Sequence, residues 1–166
     1  MSDETPLDIR DLLSKPLSDF PDRPNLPGGR HFYGKLTSFA ATFSKTKKTP
    51  GYHVGIRLTD PGADVTKAEL DVISNAGFAV GDYEVGSDFW LTPGSMVFLR
   101  RFLVSLGFPE SASFVENLGL DNDGNPTPAT QDKIRGLDVI VATPPADDQG
   151  RVFTNNLDSV VGVKRP

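Results

Sequence analysis

The sequence predicts a mainly β domain with inserted helices: a five-stranded OB-fold, or Greek-key β-barrel, with a helix between strands 3 and 4. Three observations point there. Five segments alternate apolar and polar residues with the period of a strand. One helical stripe, at Leu99, Phe102, Leu103 and Leu106, falls between the third and the fourth of them. The 166 residues also hold 16 Gly and 14 Pro, a turn-rich composition. Ferredoxin-like and doubly wound folds need other element orders, and no internal repeat is visible.

Residues 1–29 read as an N-terminal arm, extended along the domain or partly mobile, and residues 30–166 as the OB-fold domain. In the arm, Leu7, Ile9, Leu12 and Leu13 allow a short helix that stops at Pro16, and the run from Phe20 to Gly29 is too rich in Pro and Gly for a regular element. The first strand spans about 30–44, with Phe32, Gly34 and Leu36 inward and Tyr33, Lys35 and Phe39 outward. The second, about 52–59, turns Tyr52, Val54, Ile56 and Leu58 to the core and His53, Gly55, Arg57 and Thr59 to the other face. Lys45-Thr46-Lys47-Lys48-Thr49-Pro50-Gly51 is a polar turn between them, so the pair forms a long hairpin with a basic tip.

Pro61-Gly62 breaks the second strand, and 65–73 has room for a helix of two turns. A third strand fits 82–91, with Tyr83, Val85, Phe89 and Leu91 inward and Glu84, Asp88 and Trp90 outward. Thr92-Pro93 supplies an N-cap and a proline at the first helical position, and Gly107 ends the helix. A second short helix over 108–118, a loop over 119–130, and strands over 137–143 and 151–163 around the turn 144–150 complete the chain.

Composition excludes several chemistries. Without Cys there is no thiol catalysis, zinc thiolate, iron–sulfur ligation or disulfide scaffold. No apolar run approaches the ~18 residues that span a bilayer, so a soluble, cytoplasmic protein without membrane contact is expected. Gly29 to Leu36 nearly spells a phosphate loop, but the magnesium-binding hydroxyl position is Leu36 and the interior holds bulky rings. Asp121 to Asn125 resembles the start of a calcium loop, with Pro126 where glycine belongs and Asp132 where a bidentate Glu belongs. There is no HExxH and no GxSxG. The carboxylates Asp82, Glu84 and Asp88 offer a weak footing for a metal-assisted nuclease; a solvated strand edge explains them more simply. Neither a cofactor nor a metal is expected, and no enzyme.

Charge is uneven. The chain carries −5 with a pI near 4.9, yet Arg30 to Thr59 holds six cations and no carboxylate, which leaves −11 for the rest. The same stretch contains both histidines and Phe32, Tyr33, Phe39, Phe43 and Tyr52. Cations interleaved with flat rings suit a single strand, whose phosphates want Lys or Arg and whose unstacked bases want an aromatic surface. The expected nucleic-acid-binding residues are Tyr33, Lys35, Phe39, Phe43, His53, Arg57 and Trp90 on the sheet face, Lys45, Lys47 and Lys48 at the rim, and Arg151 with Phe153 beyond the last turn. The plainer alternatives are a solvated hairpin tip, a core role for Phe43 at the hairpin neck, and a Trp90 covered by the arm or by a dimer partner.

Two stretches, Asn25-Leu26-Pro27-Gly28-Gly29-Arg30-His31-Phe32-Tyr33-Gly34-Lys35-Leu36 and Lys47-Lys48-Thr49-Pro50-Gly51-Tyr52-His53-Val54-Gly55-Ile56-Arg57-Leu58, resemble segments of phage-encoded OB-fold single-stranded-DNA-binding proteins associated with replication and recombination. Phe89-Trp90-Leu91-Thr92-Pro93 with Leu99 to Gly107 is similar to their third strand and following helix. The resemblance covers about residues 25–163 through loose patterns. It implies a non-enzymatic protein that binds single-stranded DNA during phage DNA replication or recombination, with homo-oligomers and phage replication or recombination proteins as further partners. The end of the chain, Val163-Lys164-Arg165-Pro166, lacks the acidic tail that recruits partners in the better-known branch. The rival expectation is a protein-interaction or virion structural module that uses the same sheet face as a subunit interface.

Overall fold

The computed structural model describes residues 9–17 and 22–163; Leu7, Phe20, Lys164, Arg165 and Pro166 lie outside the described residues. Its elements are α1 (Ile9–Leu13), β1 (His31–Phe43), β2 (Pro50–Pro61), α2 (Lys67–Asn75), a 3-10 turn (Val80–Asp82), β3 (Glu84–Trp90), α3 (Met96–Ser105), α4 (Phe114–Leu118), α5 (Pro128–Ile134), β4 (Asp138–Ala142) and β5 (Ser159–Gly162). The five strands form one open antiparallel sheet in the order β3-β2-β1-β4-β5. The mainly β class and the five strands follow the sequence pattern. No helix among the described residues is long and apolar enough to cross a membrane.

The β1–β2 hairpin is the spine. On β2, Tyr52, Val54, Ile56 and Leu58 are buried, as the strict alternation requires. On β1, Phe32, Gly34 and Leu36 face the same core, but the pairing steps from Leu36↔Ile56 to Ser38↔Gly55 and leaves Thr37 as an extra residue. That bulge reverses the side-chain parity beyond it. Phe39 therefore turns inward, is 0% exposed, and stacks on Tyr52 with centroids 4.9 Å apart. The expected outward Phe39 is corrected by this one inserted residue.

Beyond Lys35, β1 loses β4 as a neighbour, and its free side is closed by the segment before β4. Gln131 Nε2 donates to Phe39 O at 2.8 Å, Asn125 Oδ1 accepts from Ala41 N–H at 3.2 Å, and Tyr52 Oη donates to Gly124 O at 2.8 Å. Three helices rather than one or two lie between β3 and β4. The unexpected one, α5, starts with Thr127 at the N-cap and Pro128 in its first turn, inside what reads as a loop. In α3, Leu99, Phe102 and Leu103 are buried as expected, though the helix begins at Met96, after a hydrogen-bonded turn over 92–95. β5 is also shorter than expected: only Ser159–Gly162 is strand, and 151–158 is irregular.

Residues 22–29 run along the domain. Leu26 is buried in the core, Arg23 lies over the Tyr83 ring at 4.3 Å, and Tyr83 Oη donates to Pro24 O at 2.5 Å. Thr143, fully buried, donates its hydroxyl to Pro27 O at 2.7 Å and accepts from Arg30 N–H at 3.1 Å.

Candidate functional site

The outward face of the sheet can be read row by row from the register. One row runs Glu84↔Arg57↔Lys35↔Asp138 across β3, β2, β1 and β4. Arg57 pairs with Glu84 at 3.3 Å and Lys35 with Asp138 at 3.1 Å. In the next row but one, His53 Nδ1 lies 2.7 Å from Asp88 Oδ1. Each cation expected to line a binding face thus has a carboxylate from the neighbouring strand. Exposed pairs of this kind add little stability, but they cancel the local field. Lys35, Arg57, Glu84, Asp88 and Asp138 together are not a positive surface.

Arg151 is also engaged. Its Nε reaches Asp147 Oδ2 at 2.8 Å within the turn before the last strand, and its guanidinium sits 5.5 Å from the Phe153 ring. Two backbone N–H groups donate to the Asp147 carboxylate, foremost that of Arg151, and they hold its carboxyl below the usual carboxylate range. Phe153 is exposed, in the irregular 151–158 segment and not on a strand.

The hairpin tip differs. Among the described residues, Lys45, Lys47 and Lys48 have no ion-pair partner. Ser44 closes the turn: its N–H donates to Thr49 O at 2.9 Å, its carbonyl accepts from Lys48 N–H at 3.0 Å, and its hydroxyl accepts from Thr49 N–H at 2.8 Å. Lys48 occupies the left-handed region at φ 49°, the one non-glycine residue to do so among the described residues. The tip is a defined turn that holds three ammonium groups in water.

Trp90 stands beside it. Gly51, one residue past the hairpin's Pro50, is its cross-strand partner, and a Cβ at Gly51 would lie 2.6 Å from Trp90 Cε3 and 3.0 Å from Cζ3. The six-membered ring of the indole therefore rests on the bare backbone of Gly51, which is what glycine permits there. The His53 ring covers Gly86 in the same way, with Cε1 2.8 Å from where a Cβ would sit. Trp90 is half-buried on the outward parity, as the alternation of β3 predicts. Phe43 returns to the core-side parity after the bulge but lies beyond the core, 66% exposed, so it is not a core residue at the hairpin neck.

Two residues were not anticipated. Phe98, 57% exposed, and Arg101, without an ion-pair partner among the described residues, stand on α3 beside Trp90 around a groove between β3 and β5. Their signal was available: they fall off the Leu99–Phe102–Leu103 stripe and are three apart, so they share the helix's outer face. Tyr33 lies in a separate row, level with Ile140 and Val161. Structure thus gathers Lys45, Lys47, Lys48, Phe43, Trp90, Phe98 and Arg101 toward one end, and leaves Lys35, Arg57, Arg151, Phe153 and Tyr33 apart or neutralised.

The look-alike motifs resolve into ordinary structure. Gly29 to Leu36 enters β1 directly, and Asp121 Oδ1 accepts the N–H groups of Asp123 and Asn125, both at 2.9 Å, in a turn. Asp82 caps its own 3-10 turn by accepting from Ala79 N–H at 2.8 Å instead of joining Glu84 and Asp88 on the strand. Among the described residues no group of three His, Asp or Glu is placed to hold a metal ion. No family model and no curated protein matches the chain.

Proposed function

We propose that this chain is a non-enzymatic single-stranded-DNA-binding protein, built as an OB-type barrel and acting in phage DNA replication or recombination. The strand order β3-β2-β1-β4-β5 supports the barrel reading, because an OB barrel closes by bringing its third and fifth strands together. Here Gly86 N–H of β3 donates to Thr154 O at 2.8 Å, in the irregular segment that leads into β5. The phage setting rests on the resemblance over residues 25–163 alone.

The observation that carries the binding reading is the Trp90 indole laid on Gly51 next to a turn that presents three unpaired lysines. A flat ring offers stacking worth ~1–3 kcal/mol per base, and unpaired ammonium groups are free to displace the counterions of phosphates. The strand path is accordingly the hairpin tip and the Trp90 end, not the Lys35–Arg57 row. Anisotropy of a labelled dT oligonucleotide tests this. Lys47→Glu should weaken binding by about fivefold or more at low salt, while Lys35→Glu, an equal change of charge, stays within about twofold because its row lies farther along the sheet from the tip than the ~10 Å screening length. The opposite ranking refutes the assignment.

One feature favours the rival reading of a subunit interface. Tyr33, Ile140 and Val161 line up across β1, β4 and β5 on the outward face, and Val161 is 48% exposed. A dimer seated on that stripe would be dissociated by Val161→Asp in light scattering; a monomeric wild-type protein removes this reading.

A further inference from the structure

β3 and β5 are the two free edges of the sheet, and they flank a groove of about 580 Å³ that includes Phe89, Trp90, Phe98, Arg101, Asn156 and Asp158 in its lining. That volume lies within the ~300–1,000 Å³ typical of sites for small organic groups. On the single-strand-binding reading above, we propose that this groove takes one nucleobase of the bound strand, inserted between the Trp90 and Phe98 rings, while its phosphates stay outside toward Arg101 and the lysine turn.

The backbone around the groove supplies the hydrogen-bonding edge such a ligand needs. The bonds Leu58 N–H to Tyr83 O at 3.1 Å and Leu91 N–H to Pro50 O at 2.8 Å show that the odd-numbered residues of β3 bond to β2. The N–H and C=O groups of Gly86, Asp88 and Trp90 therefore face the free edge, and Gly86 N–H is the one taken, by Thr154 O. On β5, Val163 N–H bonds Asp138 O at 2.9 Å, so Val160 and Gly162 face away from β4. Gly162 N–H is satisfied by Ser105 Oγ at 2.8 Å. Asp88 and Val160 thus turn backbone donors and acceptors toward the groove, and among the described residues no turn, loop or cap backbone bond takes them up.

Chemistry selects the occupant. Asp88 is held by His53, and the rings and aliphatic side chains of the lining are interspersed with the hydrogen-bonding groups of Ser87, Ser95, Asn156, Asp158 and Ser159. With Asp158 and Arg101 both in the lining, the groove has no excess positive charge to draw in an anion; a neutral base would offer amino groups to Asp158 and fill the space between rings. Arg101, without an ion-pair partner among the described residues, is available to a phosphate.

The test compares a dT 16-mer with an abasic 16-mer of equal charge, for the wild-type chain, Phe98→Ala and Lys47→Glu. The wild type should prefer the dT strand by roughly fivefold or more. Phe98→Ala, at a half-exposed position that leaves the core intact, should shrink that preference severalfold without changing the salt slope. Lys47→Glu should weaken both strands alike. A preference unmoved by Phe98→Ala while DNA still binds overturns the groove and leaves the binding reading standing; this is also the result if an extended peptide is the true occupant of the two edges. Absence of binding to either strand overturns both. As a second readout, a single 5-iododeoxyuridine in the oligonucleotide should photocrosslink within 87–101 or 156–161, and crosslinks confined to 45–53 contradict the insertion.

Discussion

Replacing Lys48 by glycine should make the protein more stable and a poorer binder at once. Lys48 sits at φ 49°, where an L-residue costs roughly 1–2 kcal/mol relative to its preferred conformations. Glycine removes that strain but gains about 0.5–1 kcal/mol of extra freedom in the unfolded chain, which offsets part of the benefit. The net is a stabilisation of about 0.5–1 kcal/mol, or an upward Tm shift of about 1–4 °C for a chain of this length. The turn itself survives, because the Ser44 bonds to Lys48 and Thr49 use backbone groups that glycine retains. The same substitution deletes one of three unpaired ammonium groups, so the slope of log affinity against log salt should flatten by about 0.7. Thermal unfolding by circular dichroism gives the first quantity and oligonucleotide titration at several salt concentrations the second. A stabilised variant whose salt slope is unchanged refutes the placement of Lys48 in the interface; a destabilised variant refutes the strained turn.

Other perturbations probe the frame around the site. Phe39→Ala should cost about 3–5 kcal/mol and Phe43→Ala about 0.5 kcal/mol or less, since the bulge buries the first ring and leaves the second in water; equal losses in urea unfolding contradict the bulge. Gly51→Ala drives a methyl into the indole at 2.6 Å and toward Phe89 O at 2.7 Å, so it should cost about 1–3 kcal/mol and shift the emission of Trp90, the single tryptophan. An unshifted spectrum means the ring does not rest there. Burial pushes the phenols of Tyr52 and Tyr83 up. Their folded pKa values exceed the unfolded ones, so their stabilising contribution is complete below about pH 10 and is lost as pH rises through the folded values. Tyr83→Phe should remove the Pro24 bond at about 0.5–1.5 kcal/mol, speed amide exchange over 22–29, and reduce the alkaline loss of stability. An unchanged alkaline limb refutes that assignment.

Much of the scaffold was legible because it obeys simple periods. β2 alternates from Tyr52 to Leu58, the α3 stripe repeats at three and four residues, and the basic turn announces the hairpin. The failures share one cause, which is that local pattern carries no register. A single inserted residue, Thr37, moved Phe39 from the expected binding face to the core. The cation-rich run looked like a positive face because its neutralising partners, Glu84, Asp88 and Asp138, stand far away in sequence and arrive only by strand pairing. α5 was hidden inside an apparent loop although Thr127-Pro128 carries a helix start, and the short β5 was overestimated because Val152 and Val160 to Val163 invite one continuous strand.

Trp90 reports directly on whether a nucleic-acid strand lies across the glycine-backed ring beside the lysine turn. Its fluorescence should be measured during titration with a dT oligonucleotide at two ionic strengths. The account predicts saturable quenching whose affinity falls with added salt at a slope of about −2 to −3, set by Lys45, Lys47, Lys48 and Arg101. Emission that stays constant at both ionic strengths contradicts it.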